Sequence, residues 1–254
     1  MLLLSIDTSG SYSCICLIDD SCNIVAENNI ILNENKHSKE LNNKQLLVPS
    51  TLIFKQLDAI LSGVGLNLTD IGGIAITLGP GSFTGIRVSL SIAKTLAYGL
   101  NLKISGVESL YACAYSYINK NDKFYLTVIK EFIKDKFYFE IYKIEDGIIK
   151  KFKNLETGNI NEITCSIVQL NIKSNFVFLG SYNKCNLNEN IRLFNDAGVK
   201  IEVVDNLRLA YLSGIIAINK FAGDVDDKYD KKEQSDFQDI AGLSPVYVYS
   251  GGAF

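Results

Sequence analysis

The sequence predicts an α/β protein made of two related lobes, each a mixed sheet flanked by helices. Three observations carry this. Residues 2–32 alternate as three short strands joined by tight turns. Residues 74–100, IAITLGPGSFTGIRVSLSIAKTLAYGL, run strand, glycine loop, helix. The second half returns to a strand-rich opening followed by helix, strand, strand and helix, although no repeat is visible residue by residue.

Each element follows from local chemistry. Leu2 to Asp7 is a buried strand ending in the turn Asp7-Thr8-Ser9-Gly10-Ser11. Tyr12 to Asp19 alternates Cys14, Cys16 and Ile18 against Ser13, Ile15 and Leu17. Asp19-Asp20-Ser21 reverses the chain and Asn23 to Leu32 forms a third strand, which makes an antiparallel meander. A helix is expected from near Ser38 or Asn43 to about Ser62, with Leu46, Ile53, Leu57 and Ile60 on one face. Pro49 lies inside that span and demands a kink or a later start. Ile71 to Leu78 is the next strand. It breaks into Gly79-Pro80-Gly81-Ser82-Phe83-Thr84-Gly85, where three glycines and a proline specify a tight loop. From about Thr84 the apolar period turns helical through Ile86, Leu90, Ala93, Ala97 and Leu100.

Lys103 to Gly106 reads as a short strand and Val107 to Tyr117 as a helix. Phe124 to Ile133 and Lys136 to Ile144 read as paired strands, and Ile148 to Phe152 as a third after the Asp146-Gly147 turn. Asn161 to Leu170 is a helix, Phe176 to Leu179 and Lys200 to Val204 are strands, and Leu207 to Phe221 is a helix. Gly223 to Asp236 is a charged, solvated loop, and Pro245 to Tyr249 closes as a strand or strand-like tail. The division expected is an N-terminal lobe of residues 1–106, completed by 237–254, and a second lobe of 107–236.

At 254 residues, 47% hydrophobic and 21% charged, the chain can bury a sizeable core. A net charge of −3 and a pI near 5.3 give no electrostatic reason for the chain alone to hold nucleic acid. The six cysteines form no C-x-x-C pair, so a zinc knuckle is not indicated and a reduced, cytoplasmic protein is the simple expectation. The opening Met1-Leu2-Leu3-Leu4-Ser5-Ile6 has no basic start and is cut by Asp7, which suits a first strand better than a signal peptide. No apolar run reaches the length of a membrane span.

The strand–loop–helix order aims backbone N–H groups and the positive end of a helix at whatever lies above the loop. One reading is an anion or nucleotide cradle formed by Gly79, Gly81, Ser82, Thr84 and Gly85, with charge from Arg87. In that reading the first turn, Asp7, Thr8 and Ser9, grips phosphate or metal. The other reading is a compact connection whose glycines only let helix and strand pack closely, with the first turn a plain hairpin tip. Ile86-Arg87 stands where a phosphate-binding loop carries lysine and a hydroxyl, and the dinucleotide glycine spacing is absent.

These residues resemble a known family. The GPGSFTGIR loop, the opening Leu3-Leu4-Ser5-Ile6-Asp7-Thr8-Ser9, His37-Ser38 before a helix and the late Ser244-Pro245-Val246-Tyr247 together resemble the TsaB (YeaZ) family. The resemblance is dense over residues 1–110 and thin afterwards. It implies the actin/Hsp70/sugar-kinase-like (ASKHA) fold in both lobes. It also implies a non-catalytic partner of the TsaD synthase, which with the TsaE ATPase makes threonylcarbamoyladenosine in transfer RNA. Transfer RNA would be reached only through that complex, with no membrane, no cofactor and no metal, and a homodimer stays open.

The sequence also departs from the family pattern. The related catalytic paralogue holds metal through an H-x-x-x-H pair, whereas here Leu41 stands four after His37 and no second histidine exists. His37 therefore reads as a helix-start or surface residue. A family segment D-A-R…E-V-Y is replaced by Ile129-Lys130-Glu131-Phe132-Ile133 before Phe137-Tyr138. A small-molecule kinase or ATPase of the same superfamily is the alternative, with Asp7 as its metal-holding carboxylate. A protease is disfavoured, because one histidine and no metal cluster leave no activated nucleophile.

The helix at 86–100 carries a narrow polar stripe of Arg87, Ser91, Lys94 and Tyr98 opposite a wide apolar arc. Ser89, Leu90, Ala93 and Ala97 on that arc, with Leu46, Ile53 and Leu57 on the preceding helix, are the candidate seam for a TsaD-like partner.

Overall fold

The computed structural model describes residues 1–31, 49–120, 123–133, 135–179, 201–204, 209–223 and 240–247. They form two compact units. The first runs to Ser109 and takes in a late helix and the segment ending at Pro245; the second runs from Leu110 to the last described strand and takes in Val246 and Tyr247.

The first unit is a five-stranded sheet in the order β3-β2-β1-β4-β5. Its strands are β1 (Leu2–Asp7), β2 (Tyr12–Ile18), β3 (Ile24–Ile31), β4 (Ile71–Gly79) and β5 (Lys103–Glu108). The meander appears as expected: β1 pairs antiparallel with β2, and β2 with β3. Strand β4 then joins β1 in parallel, with Ser5 opposite Ala75, and β5 joins β4 in parallel.

Parallel pairing needs crossovers, and helices supply them. Helix α1 (Pro49–Gly63) leads from β3 towards β4, and α2 (Phe83–Leu100) leads from β4 to β5. The described part of α1 opens at Pro49, where proline's missing N–H costs nothing. Leu46 and His37 lie outside the described residues.

Both faces of this sheet are covered, which is why β1, β2 and β4 read as nearly continuous apolar runs. Leu4, Ile6, Ile15, Leu17, Ile74 and Ile76 face α1 and α2. Leu3, Cys16, Ile18 and Ala75 face Ala210, Ala217 and Ile218 of α5 (Leu209–Ala222). The sequence reading had put this last helix in the second lobe. Its apolar residues instead pack on the first sheet, and Ser5 Oγ fixes it there by donating to the Ala210 carbonyl at 2.5 Å.

The second unit holds β6 (Phe124–Ile133), β7 (Lys136–Glu145), β8 (Ile148–Gly158), β9 (Ser174–Leu179) and β10 (Ile201–Val204), in the order β10-β9-β6-β7-β8. Read from β8, this is the first sheet's order again. An antiparallel three-strand meander comes first, and two strands are then added in parallel beside its first strand. The duplication that no residue repeat reveals is therefore plain in the pairing. Asp146 and Gly147, with φ of 52° and 70°, make the tight β7–β8 turn.

Helix α3 (Ser109–Tyr115) belongs to the second unit from Leu110 on. Helix α4 (Ile160–Gln169) is capped by Asn159 and Glu162, each side chain bonding the other's backbone N–H. Ile160, Ile163 and Ile167 of α4 pack on Ile129, Phe137, Phe139, Ile141, Phe176 and Phe178. Near the end of the chain, residues 243–247 belong to no strand, which corrects the expected closing strand over its described part; residues 248 and 249 lie outside the description.

Candidate functional site

Strand β1 carries Asp7 to the end of the first sheet, and its parallel neighbour β4 carries Thr77 beside it. Thr77 Oγ1 donates to Asp7 Oδ1 at 2.5 Å, and the Ser9 N–H donates to the same oxygen at 3.0 Å. One carboxylate oxygen thus closes the first turn and ties it to β4.

The turn's hydroxyls are engaged as well. Thr8 Oγ1 donates to Ser89 Oγ at 2.8 Å, and Ser89 back-bonds within α2 towards the carbonyls of Gly85 and Ile86, each at 3.1 Å. Ser9 Oγ accepts from Ser109 Oγ at 3.1 Å, and the Ser9 carbonyl accepts from the Ser82 N–H at 2.9 Å. Asp7, Thr8 and Ser9 are all buried.

The glycine loop provides the close approach. Gly79 has φ of 98°, a conformation that favours glycine, and precedes a cis bond to Pro80. Ser82 caps α2, its Oγ accepting from the Gly85 N–H at 3.3 Å. A Cβ on Gly85 would stand only 2.3 Å from the Thr8 carbonyl oxygen, so glycine is what admits the turn against the helix. Gly81 is half-buried and Thr84 is exposed. Arg87 is exposed too, its guanidinium 3.9 Å above the Phe83 ring.

The structure therefore brings together Asp7, Thr8, Ser9, Gly79, Ser82 and Gly85, as the sequence suggested, but as a hydrogen-bonded joint. An anion gripped by the Thr8 and Ser9 hydroxyls and the Ser82 N–H would have to displace bonds that hold β1, β4 and α2 together. Beside it, Cys14 sits opposite Asp7 on β2. Burial, reinforced by the Asp7 charge, pushes this thiol up to about 12, which favours its protonated form at neutral pH. Among the described residues, no cluster of three His, Cys, Asp or Glu side chains could hold a metal ion.

Of the hydroxyls that lock the joint, sequence reasoning missed Thr77 and Ser109 and gave Ser89 to the partner seam instead. Ser89 carried a signal: a lone hydroxyl four residues after Gly85 in an apolar arc is placed to back-bond the helix and face the turn.

The expected partner seam also needs correcting. Ile53, Leu57, Ser89, Leu90, Ala93 and Ala97 are all buried inside the first unit, where α1 and α2 press their apolar arcs on the sheet and on each other. The outward faces carry other residues: Phe54 is 48% exposed on α1, and Tyr98 is 83% exposed on α2.

With this geometry in place, the relatives are informative. A family model described as TsaD, tRNA N6-adenosine threonylcarbamoyltransferase, matches residues 50–129, from the start of α1 through the glycine loop to the middle of β6. The tRNA threonylcarbamoyladenosine biosynthesis protein TsaB of Escherichia coli K12 is 30% identical over 149 residues, 58% of each chain. The tRNA N6-adenosine threonylcarbamoyltransferase of Geotalea uraniireducens is 32% identical over 117 residues, 43% of this chain and 33% of that one. YeaZ from Pseudomonas aeruginosa superposes with a TM-score of 0.59 at 14% identity, covering 97% of this chain and 99% of that structure.

These relatives support the resemblance to the TsaB (YeaZ) family. The chain's fold is the actin, Hsp70 and sugar-kinase type, with one such sheet in each unit. The alignment to the E. coli TsaB spans little more than half of that protein, and the alignment to the transferase a third. The repeated sheet order agrees with this fold in the second unit, where the sequence resemblance thins. Among the described residues, no helix is long and apolar enough to cross a membrane.

Proposed function

We propose that this chain is a non-catalytic subunit of the cytoplasmic assembly that makes threonylcarbamoyladenosine in transfer RNA. It binds a TsaD-like synthase subunit through the outer faces of α1 and α2, and acts with a TsaE-like ATPase. The observation that carries this reading is the joint at the first turn. Thr8 is bonded to Ser89, Ser9 to Ser109, and the Ser82 N–H to the Ser9 carbonyl. Phosphoryl transfer needs such donors free for the phosphate and its metal, whereas a subunit that only binds and orders its partner can use them as structure.

The test is reconstitution from purified parts: the TsaD-like paralogue and TsaE-like ATPase of the same cell, with unmodified transfer RNA, with and without this chain. Nucleoside mass spectrometry should find threonylcarbamoyladenosine only when the chain is present, and the chain alone should turn over no ATP. ATP hydrolysis by the isolated chain that disappears in Asp7→Ala would replace this reading with the kinase or ATPase one.

A further inference from the structure

The second unit carries a feature that the fold does not require. Strands β6, β7 and β8 place Tyr125, Lys143 and Lys150 in one cross-strand row, since Tyr125 pairs with Lys143 and Lys143 with Lys150. Lys151 then pairs with Tyr142, and Lys153 pairs with Ile141, so Phe152 is the extra residue of a β-bulge. Phe152 alternates onto the face of Lys150, and the bulge brings Lys153 round to it as well. Its ring meets Tyr125 edge-on, centroids 4.9 Å apart, and is 44% exposed. Lys153 points along that face, with Nζ 2.5 Å from Ser166 Oγ on α4.

Charge surrounds the aromatic pair unevenly. Glu145 takes Lys123 at one oxygen, 2.6 Å, and Lys143 at the other, 2.5 Å, so a single carboxylate faces two ammonium groups. Lys153 pairs with Glu156 at 3.0 Å. Lys150 is exposed and makes no ion pair among the described residues. A bare aromatic edge would invite any apolar surface. An exposed ring seated on a second ring, with lysines along the row, matches a chain that presents flat faces and regularly spaced negative charge.

We propose that this end of the β6-β7-β8 face contacts single-stranded RNA directly. A base stacks on Phe152, and Lys150 holds a flanking phosphate. The inference rests on the reading of the chain as a subunit in transfer RNA modification and extends it, because the family resemblance implies contact with RNA only through the complex. The overall charge of −3 does not oppose it, since screening confines each charge to about 8–10 Å and the local field decides.

The experiment titrates a fluorescent single-stranded RNA, about 12 nucleotides long, with the full chain across a salt series. Phe152→Ala and Phe152→Leu should each weaken binding about tenfold. Lys150→Gln should lower the log–log salt slope by about 0.7, the loss of one single-strand phosphate contact. Binding that is unchanged in both Phe152 variants, or equal displacement of the RNA by a poly-glutamate peptide, overturns the proposal. The same proteins are assayed for capture of the TsaD-like subunit. If wild type captures it yet binds no RNA, the RNA contact is wrong and the subunit reading stands. If wild type captures nothing, the subunit reading fails whatever the RNA result.

Discussion

The Thr8 carbonyl oxygen lies 2.3 Å from where a Cβ on Gly85 would sit. No side-chain rotation relieves that contact, because both participants are backbone. Alanine in place of a helical glycine ordinarily stabilises by roughly 0.5–1 kcal/mol. Here the clash should reverse the sign, and Gly85→Ala should cost about 1–3 kcal/mol. Urea unfolding of wild type and variant decides it: a variant as stable as wild type would mean that the first turn and α2 are not in contact.

In the second unit, Glu140 is wholly buried, with the Tyr142 hydroxyl on one oxygen and Lys151 Nζ 3.0 Å from the other. Lys151→Met should cost about 3 kcal/mol, since it takes an ammonium group away from a carboxylate buried inside the sheet. Adding Glu140→Leu should recover most of that loss, so the double-mutant cycle should show strong coupling. Additive effects would mean that the two groups do not sense each other.

Lys123 and Lys143 hold the Glu145 carboxyl down to about 2, from an ordinary value of 4.5. A depressed acid contributes stability above its unfolded value and loses it as pH falls through the folded one. The contribution should therefore be complete above about pH 4.5 and disappear as pH falls towards 2. The site is exposed, so salt should shrink the effect. Carbon-detected NMR of the Glu145 carboxyl should show its midpoint rising in Lys123→Gln and at high ionic strength; a midpoint near 4.5 in wild type would refute the pairing.

What could be read from the sequence depended on how local the cause was. Gly79, Pro80 and Ser82 announce the loop and the helix cap, because their backbone preferences act within a few residues. The meander from Leu2 to Ile31 was legible for the same reason: short apolar runs bounded by tight turns. The joint was only half legible. Asp7 and Ser9 belong to one turn, but the partners that engage that turn, Thr77, Ser89 and Ser109, lie 70 to 100 residues from the residues they bond and meet them only through the tertiary fold. Helix α5 was placed in the wrong lobe because its apolar residues state that it packs, not on which sheet. The partner seam failed similarly. Periodicity found the apolar arc of Ile53, Leu57 and Leu90, and that arc belongs to the core of its own unit.

Ile53 and Phe54 are neighbours with opposite fates: the first is 1% exposed and the second 48%. If the outer faces of α1 and α2 receive the TsaD-like subunit, a charge on either residue should act by a different route. Ile53→Glu puts a carboxylate among Leu57, Leu90 and Ala93 with no cation beside it, and should prevent stable folding, as should Leu90→Glu. Phe54→Glu and Tyr98→Glu should fold with wild-type circular dichroism, because their side chains already meet water. Both should nevertheless weaken capture of the subunit, by about thirtyfold if these aromatics anchor the interface at roughly 2 kcal/mol each. Folded Phe54→Glu and Tyr98→Glu proteins that bind at full strength would remove α1 and α2 from the interface. A folded, soluble Ile53→Glu would instead contradict the packing of α1 on the first sheet.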